Sequence, residues 1–461
     1  MKKLLSIILI SFLMLSIGGC RKKQVFRENK APVTLSYYKL YENQENLNPL
    51  FTEFRKQFPY VTINYRKFTD PDKYYETILN EFAEGRGPDV FSVPNWWVKP
   101  NYLKLTPAPS SIVTPEIYKN LFLDIAAKDN IILDTNDKQH IYGVPLSIDT
   151  LAVYYNKAHF EAAIPERGKP AATWNQMQSD ARVMNFKQGN TLIRSLTALG
   201  DPSSNSKEID IFYTRLLQNG VNFYNKDYST ASFAKSSKTE NIVKFQLSFA
   251  DETSPNYSTN QNIVDPESAN KEVEAFLTGK TSMIFGYSHL YKDLLKLQQA
   301  YKRAGKTVID ASEIRINPIP QESLEADSDK VAYANYFSEV VSKNSQNQFE
   351  AWALISQMVS KPNLEKLYKN NFKPTSRRDM ISKQRSNRVY AAFVNQLGIA
   401  KSLVIADDHK YREYFAQMFE DLILDPEYKF RARQKLSSTQ ALINQVLSTK
   451  KLNQIIAGEK E

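Results

Sequence analysis

Apolar and polar positions in the first part of the chain follow the order strand, helix, strand, helix, strand. Residues 33–38 form a short apolar and aromatic run, and residues 47–58 place apolar side chains three or four positions apart, as on one face of a helix. Residues 61–65 alternate as a strand, residues 75–82 return to helical spacing, and residues 89–93 read as a buried strand. This order predicts a parallel sheet covered by helices, with ligands beyond the carboxyl ends of its strands.

The start of the chain has a different pattern. Two lysines precede an apolar run over residues 4–17, which as a helix spans roughly 21 Å, short of the ~30 Å core of a membrane. We therefore predict a signal peptide over residues 1–19. Gly18 and Gly19 before Cys20 resemble the bacterial lipobox, which implies a lipidated Cys20 followed by a linker up to residue 32. The alternative is a signal anchor with a buried cysteine.

Composition narrows the possible functions. The 461 residues include 60 Lys and Arg, 50 Asp and Glu, and one Cys, with a formal charge of +10. A single cysteine excludes intramolecular disulfides and zinc sites built from several thiolates. The charge is too dilute to indicate a nucleic-acid partner. His140, His159, His289 and His409 have no partner at the spacing of a zinc motif, so we expect neither a metal nor another cofactor.

Several sequence blocks, taken in order, resemble a known family. They read FRKQFPYVTINY, YYETILNEFAEGRGPDVFSVP, IYGVPLSIDTLAVYYNKAHF, TWNQM, AFLTGKTSMIFGY and YANYFSEVVSKNS. Together they resemble the extracytoplasmic solute-binding proteins of ABC importers, most closely the family 1 receptors of the maltose and oligosaccharide type. The resemblance covers roughly residues 33 to 380.

The resemblance implies an α/β fold of the periplasmic-binding-protein type, with two lobes, three interlobe crossings and a hinge. It implies a first lobe from residues 33–147 and 286–340 and a second lobe from residues 148–285 and 341–430. Residues 431–461 are expected to form a C-terminal helix and tail.

The implied function is capture of a carbohydrate between the lobes and its delivery to an ABC permease. The protein is then a receptor and not an enzyme, and we expect a monomer held at the outer face of the membrane by Cys20. Two other functions stay open from the sequence: an extracytoplasmic glycoside hydrolase, because paired carboxylates cannot be recognised without a structure, and a lipid-anchored adhesion or structural protein. Acidic saccharides, peptides and polyols also stay open as solutes.

Sugar rings have weakly apolar faces and a fringe of hydroxyls, so aromatic rings and hydrogen-bonding side chains at strand ends are the candidate ligands. We expect no catalytic residue. Of the adjacent Trp96 and Trp97, we expect the first in the cleft and the second in the core. The candidate ligand-binding residues are Tyr38, Tyr41, Glu42, Asn95, Trp96, Asp149, Tyr287, Asn335, Tyr336 and Arg377.

Overall fold

The structure is a computed structural model that describes residues 30–325 and 330–452. The predicted signal peptide, Cys20, most of the linker and the end of the tail lie outside the described residues. The strands are β1 Val33–Leu40, β2 Val61–Phe68, β3 Val90–Pro94, β4 Ile131–Leu133, β5 Gln139–Ile141, β6 Gly143–Pro145, β7 Ala152–Asn156, β8 Phe186–Gln188, β9 Thr191–Arg194, β10 Met283–Gly286, β11 Ile314–Pro318, β12 Ala332–Tyr333, β13 Phe337–Val341 and β14 Ala400–Lys401.

The helices complete the α/β architecture. They are α1 Gln44–Gln57, α2 Pro71–Ala83, α3 Asn95–Asn101, α4 Pro115–Leu121, α5 Asp124–Asn130, α6 Lys157–Ala163, α7 Trp174–Met184, α8 Glu208–Gln218, α9 Ser237–Leu247, α10 Lys271–Leu277, α11 Leu290–Arg303, α12 Gln348–Met358, α13 Lys361–Asn371, α14 Ile381–Arg385, α15 Ala391–Gln396, α16 Asp408–Ile423 and α17 Tyr428–Lys450.

The first lobe is built on a five-stranded sheet in the order β2-β1-β3-β13-β6. β1 pairs in parallel with β2 and β3, as the strand and helix pattern predicts, while β13 runs antiparallel to β3 and β6. Leu50 of α1, Trp352 of α12 and Leu364 of α13 are buried in one core on this sheet. Phe91 and Trp97 belong to a second core of the same lobe.

Local signals in the sequence set the ends of α2, which positions β3. The Asp70 side chain accepts hydrogen bonds from the N–H groups of Asp72 and Lys73, at 2.9 and 3.2 Å, and caps the helix. Gly85 follows the helix with φ +72°, a conformation that glycine adopts without steric cost. The turn returns the chain to β3, whose carboxyl end faces the second lobe.

The second lobe is built on a three-stranded antiparallel sheet with β7 between β10 and β11. Its core includes Trp174 at the start of α7, Phe285 of β10 and Tyr287. A further core joins α8, α9, α16 and α17, and in it the rings of Phe212 and Phe415 lie 5.0 Å apart. α17 begins three residues before the expected C-terminal segment and buries Leu436 and Ile443 in this core.

The chain crosses between the sheets after β6, between β12 and β13, and between α13 and α15. The ranges 286–340 and 341–430, expected for lobes one and two, differ from this placement. β11 pairs with β7 of the second sheet, whereas α12 and α13 pack on α1 in the first lobe. The sequence of a strand indicates that the strand is buried, but it does not indicate which sheet the strand joins. Tertiary contacts determine the sheet.

In the described part of the chain, no helix combines the length and apolar character needed to cross a bilayer.

Candidate functional site

A cleft of about 1150 Å³ lies between the two lobes. The first lobe contributes the carboxyl ends of β1 and β3, the start of α3 and the side of α2. The second lobe contributes α8, the segment after β10, α11 and the first turns of α16. The cleft therefore lies where an open α/β sheet presents its ligands, beyond the ends of parallel strands.

The structure brings seven of the ten candidate residues to this cleft. They come from five separate stretches of sequence and both lobes. They are Tyr41, Glu42, Trp96, Asp149, Tyr287, Asn335 and Tyr336.

The other three candidates lie away from the cleft wall. The ring of Tyr38 packs on Phe68, with a centroid separation of 5.6 Å. Asn95 is buried, and its amide donates a 3.0 Å hydrogen bond to Asp129. Arg377 donates two hydrogen bonds to the neighbouring Asp379, at 2.9 and 3.0 Å.

Two aromatic residues illustrate how the first lobe supplies apolar surface. Tyr41 is 54% exposed, and its backbone has φ +64°, a left-handed conformation that is strained for a bulky residue. Trp96 is half-buried and contacts apolar side chains of both lobes, whereas Trp97 is 9% exposed and packs edge-on against Phe91. Trp97 also borders the cleft, but most of its ring belongs to the core.

Glu42 is held at the cleft by positively charged and amide donors. Lys373 donates a 2.6 Å hydrogen bond to Glu42 Oε2, and Asn46 donates one of 2.6 Å to Oε1. Burial opposes ionisation of this carboxyl, but Lys373 and Asn46 outweigh it and lower the pKa of Glu42 to about 2. Glu42 is therefore an ionised hydrogen-bond acceptor at pH 7.

Asp149 lies on the first crossing, where three parts of the chain meet. The Ser288 hydroxyl donates a 2.6 Å hydrogen bond to its carboxylate, and the backbone N–H groups of Ser288 and Thr150 donate further ones. The Asp149 carbonyl accepts from the N–H of Asn335 on the second crossing, at 3.1 Å. Burial raises the pKa of Asp149 to about 6 despite these donors.

Tyr336 takes part in a buried polar network that also joins the lobes. Its hydroxyl donates a 2.8 Å hydrogen bond to Asp129 Oδ2, which also accepts from Asn95. Ser402, which follows β14, donates to Asp129 Oδ1 at 2.6 Å. Tyr336 borders the cleft, but its hydroxyl is already engaged by Asp129.

Sequence reasoning missed a charged group on the wall of the second lobe. Arg412 of α16 donates to Asp408 Oδ2 at 2.7 Å and to Asp210 Oδ1 of α8 at 2.6 Å. The spacing of Asp408 and Arg412 suits an ion pair on one helix, but nothing in the sequence links them to Asp210, 202 positions away. Burial raises the pKa of Asp408.

Charges along the cleft balance, although the whole chain is basic. Eight cationic and eight anionic side chains line it. The cations are Lys39, Lys104, Lys207, Lys292, Lys296, Lys373, Arg412 and Lys450, and the anions are Asp72, Asp149, Asp210, Asp293, Asp407, Asp408, Glu42 and Glu339. Several are paired within the wall, such as the buried Lys39 with Glu339. In residues 30–325 and 330–452, no three His, Cys, Asp or Glu side chains are grouped so as to hold a metal ion.

The chain is similar to a known family of proteins. The model of a family described as bacterial extracellular solute-binding protein matches residues 50–384. No curated protein sequence matches the chain.

Solved structures share the fold at low sequence identity. The sugar-binding protein MalE of Xanthomonas citri has 18% identity and a TM-score of 0.71, with 91% of this chain and 98% of that chain covered. The cyclic alpha-maltosyl-1,6-maltose binding protein of Arthrobacter globiformis has 15% identity and a TM-score of 0.69, covering 91% and 100%. A Listeria monocytogenes ABC substrate-binding protein in complex with cycloalternan has 16% identity and a TM-score of 0.64, covering 90% and 99%. These matches establish the two-lobed fold.

Proposed function

Because the chain belongs to the bacterial extracellular solute-binding proteins, we propose that it is a lipid-anchored receptor that captures a carbohydrate between its lobes and delivers it to an ABC permease. Membership of this family places the protein outside the cytoplasm. The carbohydrate, the permease and the lipid anchor are the parts of the function that we propose.

The observation that carries the proposal is the composition of the cleft wall. Trp96 and Tyr41 supply aromatic rings from the first lobe, and Tyr287, which is 6% exposed, borders the cleft from the second. Ionised and amide side chains such as Glu42 and Asn335 line the same cleft. Flat apolar faces next to hydrogen-bonding groups match the two surfaces of a sugar ring.

The size of the cleft favours more than one sugar ring. Pockets for small molecules commonly have volumes of about 300 to 1,000 Å³, and this cleft has about 1150 Å³. Three of the similar solved structures are described by maltose-type or cyclic saccharides. We therefore propose a short oligosaccharide as the solute.

The arrangement of the lobes supplies the means of signalling to a permease. A solute that contacts Trp96 in one lobe and Tyr287 in the other makes both contacts only when the lobes are close. Binding then shifts the population toward the closed form. Small-angle scattering should show a smaller radius of gyration with a saturating saccharide, and identical profiles with and without it would contradict this step.

A glycoside hydrolase needs one carboxyl free to donate a proton and a second free to attack the sugar or activate water. In this cleft, Glu339 is paired with Lys39, and Glu42 with Lys373. Both the family and the similar structures are binding proteins. We therefore expect the solute to be recovered unchanged after prolonged incubation with the protein.

The test is calorimetric titration of the chain purified with Cys20→Ser, so that no lipid is attached. The panel contains maltose, maltotetraose, cyclic maltosyl-maltose, digalacturonate and a tetrapeptide. We expect saturable binding of at least one saccharide, with no reducing ends released. Binding of the tetrapeptide alone, or turnover of a saccharide, would overturn the proposal.

The anchor has its own test. Cells that express the unmodified chain should incorporate labelled fatty acid into it, and Cys20→Ser should abolish this incorporation. A diacylglyceryl group carries two chains and gives stable membrane attachment, which a single chain does not. Unchanged labelling of the Cys20→Ser chain would remove the anchor from the proposal.

A further inference from the structure

The positive charge of the chain is concentrated in one part of the first lobe. Residues 361–388, which include α13 and α14, carry nine Lys and Arg and two acidic residues, a net charge of +7 (9 − 2). The whole chain has a formal charge of +10, so all other residues together contribute +3 (10 − 7).

Neighbouring acids neutralise only part of this charge. Within the described residues, five of the nine cations form ion pairs, with Glu42, Glu53, Asp124, Glu365 and Asp379. Counting these five acids against the nine cations still leaves an excess of four positive charges (9 − 5). That excess is carried by the exposed side chains Lys361, Lys369, Arg385 and Arg388.

The cations of α13 and α14 lie close together on one surface. α13 buries Leu364 in the core of the first lobe and exposes Lys361 and Lys369 on its other side. Lys383 of α14 donates a 3.0 Å hydrogen bond to Glu365 of α13. This bond lowers the pKa of Glu365, and the charges of Lys361 and Lys369 act in the same direction. We call the exposed surface with Lys361, Lys369, Lys383, Arg385 and Arg388 the basic face.

The chain enters the described residues on the same lobe, at a helix next to this face. Lys30 donates a hydrogen bond to Glu350 of α12, and its ammonium group lies 5.1 Å from the centre of the Tyr60 ring. α12 leads directly into α13, and both helices contribute to the same core. The ten residues between Lys30 and the predicted lipid on Cys20 span at most about 36 Å, whereas α12 is about 16 Å long. The tether is therefore long enough for a bilayer to lie against α13.

We propose that the basic face binds the anionic headgroups of the membrane in which Cys20 is anchored, so that the first lobe lies against the bilayer. This inference rests on the proposed membrane-anchored receptor and goes beyond it.

The chemistry of the surface favours headgroups over a protein partner. Anionic lipids give a bilayer a negative surface potential, which attracts Lys and Arg side chains that come within about 8 Å of it. Stable protein interfaces instead have an apolar centre that is poor in lysine. The structure describes residues 361–388, and no large apolar residue among them is exposed.

This arrangement has a consequence for the cleft. Asn371 at the end of α13 and Lys373 both donate hydrogen bonds to Glu42 on the cleft wall. A first lobe that lies on the basic face therefore holds the cleft beside the bilayer, where a permease in the same membrane can reach it.

The experiment measures sedimentation of the protein with lipid vesicles. The protein is the chain from residue 20 onward with Cys20→Ser, which lacks both the apolar leader and the lipid. The vesicles contain phosphatidylcholine alone, or phosphatidylcholine and phosphatidylglycerol in a three-to-one ratio. The test variant combines Lys361→Gln and Lys369→Gln. The matched control combines Lys187→Gln and Lys226→Gln, which remove two exposed cations from the second lobe.

We expect the unmodified protein to bind the anionic vesicles at low salt and not to bind the neutral ones. A cation close to an anionic bilayer strengthens binding about fivefold, so the test variant should bind roughly 25-fold more weakly. The control should bind like the unmodified protein. All three proteins keep the cations of the tether, so the tether cannot produce a difference between them. Both variants should also keep their unfolding temperature and their affinity for a saccharide, because the four lysines lie on the surface and outside the cleft.

Several outcomes would overturn the inference. They are equal binding to neutral and anionic vesicles, full binding by the test variant, and an equal loss in the control. Binding to dextran sulfate without binding to the anionic vesicles would indicate a soluble polyanion and would also overturn it. These results leave the proposed function untouched, because the carbohydrate is tested by calorimetry and the anchor by fatty-acid labelling.

Discussion

Ser288 donates a 2.6 Å hydrogen bond from its hydroxyl to the carboxylate of Asp149, and its backbone N–H contacts both oxygens of the same group. Asp149 lies on the first crossing between the lobes, and Ser288 follows β10. The Asp149 carbonyl also accepts from Asn335 on the second crossing. One residue therefore ties together the segments about which the lobes would move.

The first prediction concerns the pH dependence that Asp149 gives to stability. Burial raises its pKa from 3.8 to about 6, so between these values the native protein holds a proton that the unfolded chain has lost. The free energy of unfolding contributed by Asp149 therefore falls as pH rises from about 4 to 6, by up to about 3 kcal/mol. Urea unfolding at pH 4, 5, 6 and 7 should show a flatter profile for Asp149→Asn than for the unmodified protein.

The control for this prediction is Asp124→Asn. The Asp124 side chain is 96% exposed, and its contact is a surface pair with Arg378. The same chemical change at this position should leave the pH profile of stability parallel to that of the unmodified protein. If the pH profile of Asp149→Asn were also parallel to that of the unmodified protein, Asp149 would titrate normally and would not contribute to the pH dependence of stability.

The strands and helices of the first lobe could be predicted because their apolar periodicity is local. β1, α1, β2, α2 and β3 occur in the predicted order, and the cleft lies at the ends of β1 and β3. Trp96 and Trp97 also occupy different environments, since adjacent residues at the start of a helix point in different directions.

The expected lobe boundaries differ from the structure where pairing between distant residues determines which sheet a strand joins. β11 pairs with β7, which lies more than 150 residues earlier in the chain, and the periodicity of apolar residues does not predict such a pairing. Asn95 was expected at the cleft because it follows β3, but buried Asp129 engages its amide instead. Nothing in the sequence indicated that Asp210 and Arg412 would meet at the cleft. Each is a charged residue of an ordinary helix, and only the fold brings the two together.

The second prediction concerns the pair of Glu42 and Lys373. Lys373→Met leaves the buried Glu42 carboxylate without its cation and should lower the free energy of unfolding at pH 7 by about 3 kcal/mol. This value is at the low end for such pairs because the Lys373 side chain is 31% exposed. Chemical unfolding at pH 7 measures the loss.

The pH dependence of this pair is opposite in sign to that of Asp149. The pKa of Glu42 is lowered from 4.5 to about 2, so its stabilisation is present above pH 4.5 and is lost as pH falls toward 2. The destabilisation by Lys373→Met should therefore shrink below pH 4.5. The control is Lys366→Met, which breaks a half-exposed pair with Glu53 and should change stability little. Equal effects of the two substitutions would contradict the assignment of Glu42 as a buried anion.

The last prediction separates the two tryptophans at the start of α3. Trp97 is packed in the first lobe against Phe91, so Trp97→Ala should lower the free energy of unfolding by about 3–5 kcal/mol. Trp96 is half-buried and lies on the cleft wall, so Trp96→Ala should cost the empty protein less. If its ring covers a sugar face, the same change should weaken saccharide binding by about 1.5–3 kcal/mol, roughly ten- to a hundredfold in Kd.

Calorimetry on folded protein gives the affinities and urea unfolding gives the stabilities. Trp96→Phe should recover much of the lost affinity, because a smaller ring still offers a flat apolar face. Intact affinity in Trp96→Ala, with destabilisation equal to that of Trp97→Ala, would assign both rings to the core.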